Sequence, residues 1–162
     1  MILGLDPGTT AAGYAFISGE QAPTLRAAGI LAVRAAGPGE RLCELHTALV
    51  RLMKQWKPEA VAIEKLFFAA NAKTAMAVAE ARGVLLLTAV LGGTTVYEYT
   101  PAEIKKTITG QGNADKRQMQ KMLRLALPET HELRARDDVF DALAVALTCH
   151  YKEKGRLHLA NA

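Results

Sequence analysis

The chain has 162 residues, half of them hydrophobic and 22% charged. This composition is typical of a folded domain, and it excludes a disordered or low-complexity chain. The net charge of +4 favours anionic partners in general without identifying one.

Three apolar segments joined by short turns predict an antiparallel meander of strands over residues 1–6, 13–18 and 25–34. Helices are predicted over 40–56 and 73–91, and strands over 59–65 and 96–99. A loop rich in glycine and basic residues (105–112) and two helices (115–126 and 138–151) follow. This order predicts an α/β domain over 1–152, in which three antiparallel strands and two parallel strands form a mixed sheet with helices on both faces. Residues 153–162 are expected to form a frayed tail.

The cysteines and the hydropathy of the chain indicate where in the cell the protein works. Cys43 and Cys149 are far apart and lie in amphipathic helical patterns, so we expect two core thiols and no disulfide. The first residues lack the basic start and cleavage site of a signal peptide. The longest apolar stretch, 84–91, is too short to cross a bilayer. We therefore expect a cytoplasmic protein without membrane contact.

Four carboxylates stand where a packed core is expected. Asp6 and Glu64 end apolar strands, and Asp138 and Asp141 open the last apolar helix. Acidic residues are almost never fully buried unless they are paired or bind a metal. Residues spaced i, i+3 share one helix face, and the carboxyl ends of strands form the edge where α/β sheets bind ligands. Hard oxygen ligands of this kind suit Mg²⁺ or Mn²⁺, and two such ions can drive phosphoryl displacement.

Simpler explanations exist for single members of this set. Asp6 precedes Pro7-Gly8 and could be an ordinary turn residue. The acids at 137, 138 and 141 could complement a helix dipole, and for Asp137 a cap is the preferred interpretation. Glu64 is the hardest to explain in this way, because acidic residues are disfavoured in central strands.

The chain resembles the RuvC family of Holliday-junction resolvases, which are nucleases with the ribonuclease H-like fold. The matching segments are 2–9 (ILGLDPGT) with Gly13-Tyr14, 62–67 (AIEKLF), 81–84 (ARGV), 105–116 and 138–144 (DVFDALA). The resemblance implies that Asp6, Glu64, Asp138 and Asp141 hold two Mg²⁺ or Mn²⁺ ions; Asp138 is preferred to its neighbour Asp137 because it keeps the three-residue spacing to Asp141. It also implies a homodimer that nicks a four-way junction symmetrically, leaves 5′-phosphate and 3′-hydroxyl ends, and works with the RuvA and RuvB branch-migration proteins.

The resemblance also implies DNA-binding residues. Phe67 matches a family aromatic that stacks on bases at the opened junction, and Phe68 beside it is a second candidate. Lys105 and Lys116 match lysines near the cleaved phosphodiester. Further candidates on the DNA side are Asn71, Lys106, Arg117, Lys121 and Arg124. Residues 117, 121 and 124 share a helix face that could follow a phosphate backbone, or could simply be a solvated face.

The helix over 75–91 is apolar on nearly every side, as in an element that is buried on one face and paired on the other. Matching helices form the dimer contact of the family, so we expect that contact at Ala75, Val78, Ala79, Arg82 and Leu86.

Two other functions fit part of the pattern. Asp6-Pro-Gly-Thr-Thr10 fits the phosphate loop of actin-like and sugar-kinase ATP-binding proteins, but 162 residues do not supply the second domain such proteins need. A nuclease of the YqgF type would share the fold and act on other nucleic acid. The segments around Phe67 and 105–116 favour the junction resolvase.

Overall fold

The computed structural model describes residues 1–8, 11–65, 72–133 and 136–159, with side chains omitted at 72–74 and 154–159. The five strands of its sheet are β1 (Ile2–Asp6), β2 (Ala11–Ser18), β3 (Thr24–Ala32), β4 (Ala60–Glu64) and β5 (Thr95–Tyr99). The helices are α1 (Pro38–Trp56), α2 (Ala72–Leu91), α3 (Pro101–Thr109), α4 (Lys116–Ala126) and α5 (Asp137–Leu159), with a short 3-10 helix at Pro128–His131.

The strand order is β3-β2-β1-β4-β5. β2 runs antiparallel to β1 and β3, whereas β4 runs parallel to β1 and β5. The predicted mixed sheet of three antiparallel and two parallel strands is confirmed. Leu5 lies opposite Ile63, so Asp6 and Glu64 follow at the same edge of two neighbouring parallel strands.

Side chains alternate between two hydrophobic layers, one on each face of the sheet. Leu3, Leu5 and Phe16 belong to the layer that contains the buried residues of α1 and α2. Ile2, Ala15 and Ala62 belong to the layer that contains α3, α4 and α5. By the same alternation, the side chains of Asp6 and Glu64 point to the face that α5 covers.

Two glycines allow α5 to lie unusually close to the sheet. A Cβ atom at Gly4 would come within 2.2 Å of the Ala142 carbonyl oxygen, and one at Gly13 within 1.9 Å of the Asp138 carbonyl oxygen. Gly13 is the register partner of Asp6. Because these two glycines have no Cβ atom, the start of α5 can lie directly over the end of β1.

The predicted loop at 105–112 is wrong over most of its length, because residues 101–109 form α3. Thr100 and Glu103 form a reciprocal capping box at its start, and Gly110 ends it with a φ of 81°. The glycines that suggested a loop therefore only terminate a helix. The last helix also extends to Leu159 rather than ending near residue 151, since 152–159 contains several good helix formers.

Cys149 is buried, as predicted, but Cys43 is exposed, and both thiols are free. The expectation for Cys43 is wrong because α1 buries Leu45, Leu49 and Met53, whereas Cys43 lies outside that stripe. Within the described residues, no helix is long and apolar enough to cross a membrane.

Candidate active site

All four predicted carboxylates are at one edge of the sheet. Asp6 and Glu64 are the last residues of β1 and β4, and Asp138 and Asp141 lie in the first turns of α5. The close approach of Asp138 to Gly13 places the start of α5 over the Asp6 strand end. The fold thus brings together residues that are up to 135 positions apart in the sequence.

The carboxylates influence one another strongly. Burial first, and then the charges of Asp141, Glu64 and Asp138 in that order, together raise the pKa of Asp6 to about 8. Burial is also the main cause of the raised pKa of Glu64, to which Asp141 adds. The pKa of Asp141 is raised by partial burial of its carboxyl group first, and then by the charges of Asp137 and Asp138, although the residue as a whole is exposed. Such mutual effects require the carboxylates to lie close to one another at this edge.

Two lysines lie beside the acids. A cavity of about 380 Å³ is lined by Glu64, Asp141, Lys105 and Lys116, among others. Lys105 lowers the pKa of Glu64, and Lys116 lowers those of Asp6 and Asp141. The capping box of α3 precedes Lys105, and Asp115 caps α4 immediately before Lys116. Lys105 in the middle of α3 and Lys116 at the start of α4 thus both line the cavity.

Asp137 does more than complement the helix dipole. Its carboxylate forms an ion pair with Lys116 at 2.8 Å and accepts a weaker hydrogen bond from Gln120 at 3.4 Å. The bond between Lys116 and Asp137 is the main cause of the raised pKa of Lys116. Asp138 in turn forms an ion pair with Arg136 at 3.4 Å. The Asp137–Lys116 pair was missed in the sequence, where nothing links the two positions.

The donor chemistry of the site fits a hard divalent cation, since it offers four carboxylates whose negative charges such a cation would neutralise. Among the residues that the structure describes, however, no group of three or more His, Cys, Asp or Glu is already arranged to hold a metal ion. Four like charges repel one another when no cation lies between them, which opposes such a convergence.

The predicted DNA-binding residues fall into three groups. Lys105 and Lys116 line the cavity with the acids. Lys106, Arg117 and Lys121 are exposed on α3 and α4. Phe67, Phe68 and Asn71 lie outside the described residues.

Arg124 is engaged within the subunit. Its guanidinium donates to the carbonyl oxygens of Thr130 and His131 and lies 5.2 Å from the centre of the Phe140 ring. On the face formed by 117, 121 and 124, Arg117 and Lys121 are therefore at most the two cations that remain available for a phosphate backbone.

Along α2, the residues predicted for the dimer contact are half-buried: Ala75, Val78, Ala79, Arg82 and Leu86. The exposed large apolar side chains of this helix are Met76, Leu87, Val90 and Leu91. They follow a helical spacing and form one uncovered stripe, about one position away from the predicted set. The dimer contact stays a prediction, and the exposed stripe is the better-supported surface for it.

A family model, described as "Crossover junction endodeoxyribonuclease RuvC", matches residues 2–150. The RuvC protein of Caldicellulosiruptor saccharolyticus is 42% identical over 152 residues, which cover 92% of this chain and 90% of the relative. The RuvC protein of Moorella thermoacetica is 44% identical and is covered to a similar extent, 93% of this chain and 90% of the relative.

Solved structures show the same similarity. A structure titled "T. thermophilus RuvC in complex with Holliday junction substrate" superposes with a TM-score of 0.86 at 30% identity, covering 96% of both chains. The yeast mitochondrial Holliday junction resolvase Ydc2 superposes at 0.68 with 13% identity, covering 99% of this chain and 83% of that one, which supports the fold alone. Neither an actin-like nor a YqgF-type function finds support. The chain belongs to the RuvC family of crossover junction endodeoxyribonucleases, with the ribonuclease H-like fold and the junction-resolving nuclease function of that family.

Proposed function

We propose that the chain resolves four-way DNA junctions in the cytoplasm by Mg²⁺- or Mn²⁺-dependent phosphodiester hydrolysis, with Asp6, Glu64, Asp138 and Asp141 as metal ligands. The observation that carries this proposal is the convergence of these acids at one sheet edge, where burial and then the neighbouring charges raise the pKa of Asp6 to about 8. A carboxyl group in such a site must hold either a proton or a cation. The T. thermophilus relative, solved with a Holliday junction, supports the same substrate for this chain.

Two divalent ions, when bound, would supply a water nucleophile and stabilise the leaving oxygen of an in-line displacement. The protein supplies the frame for this chemistry. Asp6 and Glu64 sit on rigid strand ends, while Asp138 and Asp141 approach from α5. Binding of a cation requires Asp6 to release its proton, so metal affinity rises with pH up to about 8.

The two lysines beside the acids fit a role in binding the phosphate. Lys116 reaches the cavity from the start of α4, and Asp137 holds its ammonium group by the 2.8 Å ion pair. Lys105 lines the same cavity next to Glu64. A scissile phosphate that enters here meets two cations that orient it against the acidic cluster. Lys106, Arg117 and Lys121 would extend this basic surface along the DNA backbone, and Asn71 is proposed to bind DNA as well.

The dimer is proposed to form through the exposed apolar stripe of α2, so that two active sites nick strands of like polarity. Burying side chains such as Leu87 and Leu91, which are 58% and 72% exposed, provides a hydrophobic driving force for this contact. Phe67 and Phe68 are proposed to stack on unpaired bases at the junction, and RuvA and RuvB remain proposed partners.

The direct test compares binding and cleavage of a labelled synthetic junction by the wild type, Asp6→Asn and Asp141→Asn. We expect both variants to bind the junction in Ca²⁺ with wild-type affinity and to lose more than about 100-fold in Mg²⁺-dependent cleavage. Glu20→Gln, which removes one charge from an exposed turn, should cleave normally. Cleavage by Asp6→Asn within a few-fold of the wild type would remove the quartet from the mechanism.

A further inference from the structure

Arg82, which was predicted to lie in the dimer contact, makes two contacts within its own subunit. It belongs to α2, on the sheet face opposite the carboxylates, and its side chain is only 16% exposed. Its Nε atom donates to the backbone carbonyl oxygen of Glu64 at 2.9 Å. Its Nη2 atom pairs with the carboxylate of Glu98 on β5.

These contacts join three elements at the catalytic edge. Ile63 and Glu98 are register partners, so the Glu98 side chain lies beside the end of β4 on the α2 face. The next amide, at Lys65, donates to the Tyr99 carbonyl oxygen at 2.8 Å. The last peptide of β4 is therefore held on one side by β5 and on the other by the guanidinium of Arg82.

Only an arginine serves both partners at once. The planar guanidinium donates through Nε in one direction and through a terminal nitrogen in another, with fixed geometry. A hydrogen bond from a charged donor is roughly twice as strong as one between neutral groups. A lysine ammonium in the same place could pair with Glu98 but would not reproduce this two-directional fork.

We propose that Arg82 is a positioning residue for Glu64, fixing the end of β4 through the Glu64 carbonyl oxygen with Glu98 as its counterion. The proposal rests on the proposed role of Glu64 as a metal ligand. Arg82 holds the backbone of Glu64 from the α2 face. This contact fixes the position from which the Glu64 side chain extends toward Asp6 and Asp141 on the α5 face. Arg82 itself touches neither metal nor DNA in this account.

The test uses Arg82→Gln and Arg82→Lys, with Arg51→Gln as the control for charge, since Arg51 is exposed on α1. The first measurement is hydrogen exchange of the segment 60–65 in metal-free protein. We expect faster exchange at the end of β4 in both Arg82 variants and no change in Arg51→Gln. Wild-type exchange in Arg82→Gln would overturn the proposal regardless of any activity.

The second measurement separates positioning from folding. In both Arg82 variants we expect kcat on the junction to fall by about 10- to 100-fold, with an increase in the Mg²⁺ concentration for half-maximal rate and an unchanged KM. Arg82→Lys, which keeps the counterion pair, should retain a Tm near that of the wild type. If Arg82→Lys has wild-type kcat and Mg²⁺ dependence, the role of Arg82 is only structural and the proposal is wrong.

Glu98→Gln provides an independent variant if Arg82→Gln fails to fold. It removes the counterion and leaves the bond to Glu64 in place, so we expect a smaller loss of kcat than in Arg82→Lys. A larger loss would contradict the assignment. A wild-type protein that cleaves no junction would refute the proposed function, whereas the exchange measurement would still test the contact between Arg82 and β4.

Discussion

Asp6→Asn should make the metal-free protein more stable than the wild type, although Asp6 is proposed to be essential for cleavage. The folded protein raises the pKa of this carboxyl from 3.8 to about 8, chiefly through burial. Below about pH 4 the group is protonated in both the folded and the unfolded state. Between pH 4 and 8 the unfolded chain loses the proton and the folded protein keeps it, so the free energy of unfolding falls as pH rises.

The size of the effect follows from the shift. At 1.36 kcal/mol for each pKa unit, the penalty at pH 7 is at most about 4 kcal/mol, shared among the four coupled carboxylates. Asparagine removes the charge but needs hydrogen bonds of its own, so we expect a net gain of about 1–3 kcal/mol at pH 8. For a domain of this size that gain corresponds to roughly 2–12 °C in Tm.

The assay is thermal unfolding in EDTA at pH 5, 6.5 and 8. The advantage of Asp6→Asn should grow with pH and reach its full size by pH 8, while Glu20→Gln should show no such trend. Adding Mg²⁺ should then stabilise the wild type and leave Asp6→Asn nearly unchanged, because only the wild type retains the full ligand set. An Asp6→Asn protein that is less stable than the wild type at pH 8 in EDTA would refute the reasoning.

Three further predictions concern packing, assembly and DNA. Gly13→Ala should unfold at a Tm several degrees lower and cleave more slowly, because its Cβ would lie 1.9 Å from the Asp138 carbonyl oxygen. Circular dichroism melting measures the change in Tm, and a junction cleavage assay measures the change in rate. Gly39→Ala is the control, since a Cβ there would meet nothing within 4 Å. Leu87→Glu should shift the protein to a monomer in sedimentation experiments, whereas an unchanged mass would move the contact away from the α2 stripe. Phe67→Ala should slow cleavage by about one order of magnitude or more with unchanged Mg²⁺ dependence, since one stacked base contributes about 1–3 kcal/mol.

Much of the acidic edge of the sheet could be predicted because each acid interrupts a pattern. Asp6 and Glu64 end runs of apolar residues in strands, and strand ends meet at one edge whatever the details of packing. The register of Leu5 with Ile63 then brings the two acids to neighbouring positions. The prediction of the sheet succeeded for the same reason, since alternation and turns are local signals.

The contacts that refine the site depend on tertiary packing and carry no local signal. Nothing near Arg82 in the sequence indicates that its guanidinium would reach the Glu64 carbonyl oxygen from the opposite face of the sheet. The Asp137–Lys116 pair likewise joins the starts of two helices that are distant in sequence. By contrast, α3 was predictable: Thr100 and Glu103 have the spacing of a capping box, which the glycines at 110 and 112 obscured.

The most direct test of the account is a cleavage assay on one labelled mobile four-way junction in Mg²⁺, with linear duplex and an RNA–DNA hybrid of the same sequence as parallel substrates. The account predicts paired nicks at symmetric positions in two strands of like polarity, with ends that DNA ligase reseals, and no comparable cutting of either linear substrate. Equal cleavage of the duplex or the hybrid, or undiminished junction cleavage by Glu64→Gln, would contradict it.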